Sequence, residues 1–243
     1  MTNALVDVLR SADAVAVLTG AGISAASGIS TFRDPDGLWE QFSAQELANV
    51  DAFLQNPERV QQWYRHRQQV VHEAGPNAGH RALAALESIV PTCTLITQNV
   101  DNLHQEAGST HVLELHGNLQ RNYCIDCGHE VAPAVLDDAL AAEAPAQCPQ
   151  CGGLIRPDVV WFGERLPMET FEAAQAAAQS ADVFLSVGTS AEVAPASHLP
   201  LQAQKHGAFL AEFNTGETVL TPHVDAFVQG PADETLPALI DAL

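Results

Sequence analysis

Seven short apolar runs, each ending in glycine or polar residues, alternate along this chain with alanine-rich amphipathic segments. The runs are AVAVLTG (residues 14–20), TLITQN (94–99), HVLELHG (111–117), DVVWFGE (158–164), DVFLSVGTS (182–190), AFLAEFN (208–214) and DAFVQG (225–230). Runs that are apolar at successive positions suit strands buried on both faces, as in a parallel sheet. Segments such as 79–88 and 168–180 carry apolar residues at helical spacing and supply the covering layers. The pattern predicts an α/β fold, a Rossmann-like parallel sheet with helices on both faces. In such sheets ligands bind beyond the carboxyl ends of the strands, which is where TGAG, TQNVD, LHGN, VGTS and FN fall. Five polar strand ends then converge on one crevice.

One block breaks the alternation. Residues 121–156 lose strong periodicity and hold Cys124, Cys127, Cys148 and Cys151 as C-x2-C, twenty residues, C-x2-C. Each pair brings two thiolates to one side of a tight turn, and two turns complete a tetrahedral site for Zn2+. Four cysteine ligands leave no position for a catalytic water, so the metal staples a small inserted domain. A zinc ribbon that binds nucleic acid is the competing reading. Asp126, Glu130, Asp137, Asp138 and Glu143 count against it, as does the whole chain, with 10 Lys+Arg against 30 Asp+Glu. A net charge of -20 repels phosphate and anionic membrane, so neither nucleic acid nor membrane is expected as a partner. No run is long enough to span a bilayer and no basic leader precedes residues 14–18. Together with the paired thiols, this predicts a reducing, cytoplasmic location. Cys93 lies beside an apolar run and reads as a buried core residue.

The loop TGAGISAASGISTFRDPDG follows the first run. Gly20 and Gly22 let backbone amides approach a pyrophosphate, although the spacing is G-x-G-x5-G and a glycine loop alone is a weak signal. Phe32 and Arg33 sit farther along, where they can close over a ligand. Asn99, Asp101 and His116 can meet at the crevice, with no serine or cysteine nucleophile beside them. A lone histidine is usually structural, but its place at the same crevice favours a catalytic role for His116.

The stretch NPERVQQWYRHRQQVV (56–71) reads as a helix, with Asn56 as N-cap, Pro57 at the first position and Glu58 in the first turn. Val60, Trp63, Tyr64, Val70 and Val71 share a face, and Arg67 falls in the middle of it. Read in isolation, Arg67 lays its stem along the core and pairs with an acid.

Taken together, the motifs TGAGISAASGISTFR, TQNVDNLH, LHGN, the cysteine pairs, RPDVVWFGE, VGTS, EFN and GPADETLP resemble the sirtuins, NAD-dependent protein-lysine deacylases, over nearly the whole chain. The resemblance implies a Rossmann-like NAD-binding domain from 1–31, 76–120 and 157–243. The small domain would join a helical module (32–75) to the zinc-ribbon insertion (121–156). It further implies that Gly20, Ala21, Gly22, Ile23, Ser24, Thr31, Phe32 and Arg33 hold the pyrophosphate and nicotinamide ribose. Gln98, Asn99, Val100 and Asp101 would line the nicotinamide pocket, with Asn99 also catalytic; Gly188, Thr189, Ser190, Asn214 and Ala232 would hold the adenosine half. The acyl oxygen of the substrate would itself be the nucleophile, with His116 as general base beside the cofactor. Val160, Trp161, Phe162 and Gly163 would pair with an acylated-lysine protein or peptide. Many relatives carry Glu at the position of Ala26 and an aromatic at that of Ala194.

One branch of this family removes negatively charged acyl groups, and a Tyr and an Arg spaced like Tyr64-x-x-Arg67 lie in its acyl pocket. The resemblance to that branch, with small Ala48 making room, implies hydrolysis of succinyl-, malonyl- or glutaryl-lysine, with deacetylation retained, by a monomer. The competing functions are mono-ADP-ribosyl transfer from the same NAD site, ordinary deacetylation without dicarboxylate preference, and a non-catalytic NAD- or zinc-dependent binding module.

Overall fold

The computed structural model describes residues 3–29 and 47–243. Strands β1 (Ala14–Thr19), β2 (Thr92–Thr97), β3 (Val112–Glu114), β6 (Val183–Val187), β7 (Phe209–Asn214) and β8 (Ala226–Gln229) form a parallel six-stranded sheet ordered β3-β2-β1-β6-β7-β8. Every pairing in it is parallel. Successive residues of each strand feed opposite cores, which is why the runs show no polar alternation. Val15 and Val17 with Val183, Leu185 and Val187 face Leu5 and Leu9 of α1 (Asn3–Ser11), Leu83 and Leu86 of α4 (Ala78–Ile89), and Leu236 and Leu239 of α9 (Ala232–Ile240). Ala16, Leu18 and Phe184 face Ala174 and Ala178 of α7 (Met168–Ser180) and Leu199 and Ala203 of α8 (Leu199–Lys205). Fully burying one such aliphatic side chain stabilises the fold by roughly 1.5–3 kcal/mol.

The run DVVWFGE departs from expectation. Its strand, β5 (Ile155–Val159), ends before Trp161 and pairs antiparallel with β4 (Gly117–Cys124) in a separate two-stranded sheet. Arg156 braces the segment that follows the strand. It is 3% exposed, donates to both carboxylate oxygens of Glu164 (2.6 and 2.8 Å) and to the Val159 carbonyl (2.8 Å), and lies 3.5 Å from the Trp161 ring centre. Glu164, half-buried, also accepts the Trp161 amide at 2.7 Å, so the segment folds around this ion pair.

A third core joins Phe53 of α2 (Val50–Gln55), Val60, Tyr64 and Val71 of α3 (Pro57–Glu73), Leu119 and Trp161. Helix α3 starts as its sequence predicts, with the Asn56 side chain accepting the Arg59 amide at 3.2 Å. Its burial stripe is rotated from the apolar face: Trp63, Arg67 and Val70 are half-buried, whereas Gln61 and Gln68 are buried. Arg65 points away from that core, into a two-pronged ion pair with Asp137 (2.5 and 2.7 Å) on α6 (Pro133–Ala141). No helix among the described residues is long and apolar enough to cross a membrane.

Candidate active site

Strand order reverses at β1, since β2 lies on one side of it and β6 on the other. Open α/β sheets bind ligands at this switch point, and the loops after β1 and β6 meet there. Gly20 donates to the Val187 carbonyl at 3.0 Å and Gly22 to that of Gly188 at 2.8 Å. A Cβ on Gly20 would come 2.7 Å from that of Thr189, and one on Gly22 would come 2.8 Å from the Gly188 Cα. These glycines thus let two loops touch, a demand separate from any bound pyrophosphate. Ala21 and Gly22 are half-buried; Ile23 and Ser24 are buried. Thr31, Phe32 and Arg33 lie outside the described residues.

The loop after β2 supplies the polar centre. The Asn99 amide donates to the Gly20 carbonyl (3.1 Å) and to Ser24 Oγ (3.2 Å), while Ser24 donates to Asp101 Oδ2 at 2.6 Å. Burial raises Asp101 above the usual carboxyl value, against the hydrogen bonds from Ser24 and Leu103 that lower it. The Gln98 side chain donates to Thr189 Oγ1 at 2.9 Å, and Asn214 donates to the Thr189 carbonyl at 2.9 Å, which ties β2, β6 and β7 together. Ser190 is half-buried at the mouth, and buried Ala232 opens α9.

His116 Nδ1 lies 2.8 Å from the Gln98 carbonyl. A carbonyl only accepts, so Nδ1 carries the proton and Nε2 presents a lone pair. Burial lowers the imidazole below its ordinary value, partly offset by that hydrogen bond, so the ring is a neutral base near pH 7.

Sequence reading missed two buried histidines behind this centre. The His80 ring, which accepts the Asn77 amide at Nδ1 (3.3 Å), stands 3.4 Å from Ser24 Oγ at Nε2, and His104 Nε2 is 2.9 Å from Thr19 Oγ1. Their ring centres are 4.9 Å apart. His80 takes the place of Glu or Gln in the capping box of α4, a substitution that capping patterns do not flag.

In the core around α3, the Tyr64 hydroxyl accepts the Trp161 indole N–H at 2.8 Å, and both residues are 1% exposed. Burial pushes the phenol up to about 12, so it keeps its proton. The Arg67 guanidinium lies 4.8 Å over the Trp63 ring and 6.0 Å from that of Tyr64. Burial lowers Arg67 from its ordinary value, yet a guanidinium remains charged in proteins. Val160 donates its amide to the His116 carbonyl at 3.0 Å, and Phe162 donates to that of Ala48 at 3.0 Å. Phe162 and Gly163 are exposed.

The four cysteine sulfurs all lie within 4.8 Å of one another, with pairs at 3.3, 3.4 and 3.8 Å. Ligands about 2.3 Å from zinc at tetrahedral vertices are spaced about 3.8 Å apart, so the donor set fits. Gly128 (φ 70) and Gly152 (φ 78) follow the second cysteine of each pair and close the two turns in left-handed conformation.

Fold and site define an α/β protein of the dinucleotide-binding class with a four-cysteine ribbon inserted beside the crevice. Comparison with known proteins narrows this. The Sir2 family model matches residues 20–195. The NAD-dependent protein deacylase 2 of Pyrobaculum aerophilum is 48% identical over 235 residues, covering 97% of this chain and 93% of that one. The NAD-dependent protein deacylase of Aquifex aeolicus is 45% identical, covering 94% and 95%. A Sir2 homologue solved with NAD superposes with a TM-score of 0.90 at 41% identity, covering 99% and 93%. A Sir2 variant solved with a p53 peptide and NAD gives 0.90 at 32% identity, covering 99% and 98%. The chain belongs to the Sir2 family.

Proposed function

We propose that this protein is an NAD-dependent protein-lysine deacylase that accepts acidic acyl groups as well as acetyl. The observation that carries the deacylase reading is His116: a half-buried, neutral imidazole with its tautomer fixed by the Gln98 carbonyl, which leaves Nε2 with its lone pair. NAD, when bound, supplies the acceptor for the acyl group and nicotinamide as leaving group. Gly20, Gly22, Gly188, Thr189, Ser190 and Asn214 line the switch point where such a dinucleotide is held, and Asn99 and Asp101 supply an amide and a carboxyl to its nicotinamide end. His116 takes up a proton at Nε2. With their amides given to His116 and Ala48, Val160 and Phe162 would offer an extended peptide their carbonyls, and Gly163 its backbone. The cysteine ribbon holds Zn2+ structurally.

The acyl preference rests on Tyr64 and Arg67. Trp161 occupies a lone pair of the Tyr64 oxygen, which leaves the phenol proton for an incoming acceptor. Arg67 is one helical turn away, where a carboxylate at the end of an acyl chain can take both groups. The test is nicotinamide release and product mass with matched acetyl- and succinyl-lysine peptides, for wild type, His116→Ala and Arg67→Met. Expected are acyl-ADP-ribose from wild type, loss of that product in His116→Ala, and loss of succinyl but not acetyl turnover in Arg67→Met. Equal succinyl turnover in Arg67→Met rejects the clamp. Nicotinamide release with ADP-ribose attached to protein selects the transferase reading instead.

A further inference from the structure

Three contacts zip the loop after β2 to the start of β4. His116 Nδ1 donates to the Gln98 carbonyl (2.8 Å), the Leu119 amide to the Val100 carbonyl (2.8 Å), and the Asn118 amide side chain to Asn102 Oδ1 (2.9 Å). The side chains of Asn99 and Asp101, the alternate residues of the same loop, engage Gly20 and Ser24. One strip of backbone therefore carries the base along one edge and the amide and carboxyl groups along the other.

The outer rung is the unusual one. Asn102 has φ 66, a left-handed conformation that asparagine adopts more readily than other non-glycine residues. It occupies the N-cap position of α5 (Leu103–Glu106), but its side chain makes no capping bond there. Its carbonyl oxygen accepts Asn118 instead. Asn118 is 2% exposed and uses both its groups: the amide also donates to Glu114 Oε1 at 2.6 Å, and Oδ1 accepts the Gln120 amide at 2.9 Å. Glu114 is held in turn by Gln105 (2.6 Å) and Arg121 (2.7 Å).

We propose that Asn118 is a positioning residue that latches the Asn102 end of this loop, so that the Gln98 carbonyl holds His116 and the Asn99 and Asp101 side chains hold their places together. It acts through Asn102 and the backbone and makes no hydrogen bond to His116, Asn99 or Asp101. The inference rests on the deacylase reading.

The test measures deacylation kcat, KM and the pH profile of kcat in full-length wild type, Asn118→Ala, Asn118→Asp and Asn118→Asp/Glu114→Gln, with thermal melting beside them. Asn118→Ala is expected to lower kcat about 10²-fold, since misplacing a catalytic group by an ångström costs that much, with KM for the peptide changed less than about threefold. The hydrogen bond from His116 to Gln98 raises the imidazole pKa, so its loss moves the acid limb of kcat to lower pH. Truncating a buried amide can also unfold the protein, and the aspartate pair guards against that reading. Asn118→Asp sets a carboxylate against Glu114 Oε1 and against Asn102 Oδ1. Glu114→Gln then returns a donor opposite the first, and a half-turn of the Asn102 amide puts its Nδ2 opposite the new carboxylate, which remakes the latch. Recovery of kcat in the double variant by about tenfold or more supports the latch. Equal kcat in all folded variants, or an unmoved acid limb with kcat falling only as the folded fraction falls, overturns it. If wild type itself turns over no acyl peptide, the deacylase reading fails instead.

Discussion

Gly188 carries two constraints at once. Its φ is +57, and a Cβ there would come 2.6 Å from the Ile23 amide nitrogen. Gly188→Ala is expected to lose about 1–2 kcal/mol from backbone conformation alone, and more from the clash. NAD affinity should fall with it, because the displaced atoms are the ones where the β1 and β6 loops touch. A thermal melt and an NAD titration check this, and wild-type values in both would refute it. The buried histidines make a second prediction at this scale. Burial pushes His80 down to about 4 and His104 to about 3, against about 6.5 in an unfolded chain. Between those limits the unfolded chain binds more protons, so stability rises with pH and is lost as pH falls below about 6.5. At pH 5 the loss is about 2 kcal/mol per histidine. Asp101, raised by burial, opposes it. Urea midpoints at pH 7 and 5 should therefore lie farther apart in wild type than in His104→Gln; identical spacing would assign the pH dependence elsewhere.

Helix α3 is fixed to the ribbon and to β4 by glutamines. Gln61 donates to the Ala146 and Ile155 carbonyls (3.1 and 2.7 Å) and accepts the Ala146 amide (2.7 Å). Seven residues on, Gln68 donates to the Leu119 carbonyl (2.7 Å) and Asn122 Oδ1 (2.9 Å). Gln68→Leu keeps the bulk but orphans those two acceptors, and leaving buried acceptors unpaired costs about 1–3 kcal/mol each. A lower urea midpoint at unchanged m value is expected, and an unchanged midpoint would show that the acceptors find other partners. Here the limit of sequence reading has a physical form. The start of α3 was legible because Asn56, Pro57 and Glu58 act within one turn. Gln61 and Gln68 were not, because apart from Arg65, which donates to Gln68, their partners stand 51 to 94 residues away along the chain. Strand β4 was missed for a related reason: GNLQRNYC is polar at half its positions, and its pairing with β5 lies beyond any local window. The parallel strands, buried on both faces, announced themselves, as did His116 and Asn99 at their ends. Asn102 and Asn118 stood inside the motifs TQNVDNLH and LHGN, but their pairing carried no signal, since an amide pair bridging two loops has no spacing of its own.

At the scale of the molecule, the cores divide. The two that flank the six-stranded sheet share no residue with the core around α3 and Trp161, or with the one around Leu136, Ala146 and Ile155 in the ribbon. The ribbon core is small: Val131, Leu136, Ala146 and Ile155 bury too little apolar surface to order a segment of that length unaided. A four-cysteine metal site supplies what is missing, since zinc binding to such a site is itself folding free energy. The ribbon in turn anchors α3 through Gln61 at Ala146 and Arg65 at Asp137. Stripping the metal should therefore disorder the ribbon and loosen α3 while the six-stranded sheet stays folded. Two of the three tryptophans, Trp63 and Trp161, belong to the α3 core, so in a Trp39→Phe background indole fluorescence reports that half of the molecule, and far-UV circular dichroism is weighted toward the sheet and its helices. Titration with a chelator under reducing conditions is expected to shift the fluorescence first, abolish turnover at the same point, and leave most of the ellipticity to melt later and cooperatively. Coincident loss of both signals would mean that the cores fold as one unit, and unchanged fluorescence after complete zinc release would mean that the glutamine and ion-pair contacts hold α3 without the metal.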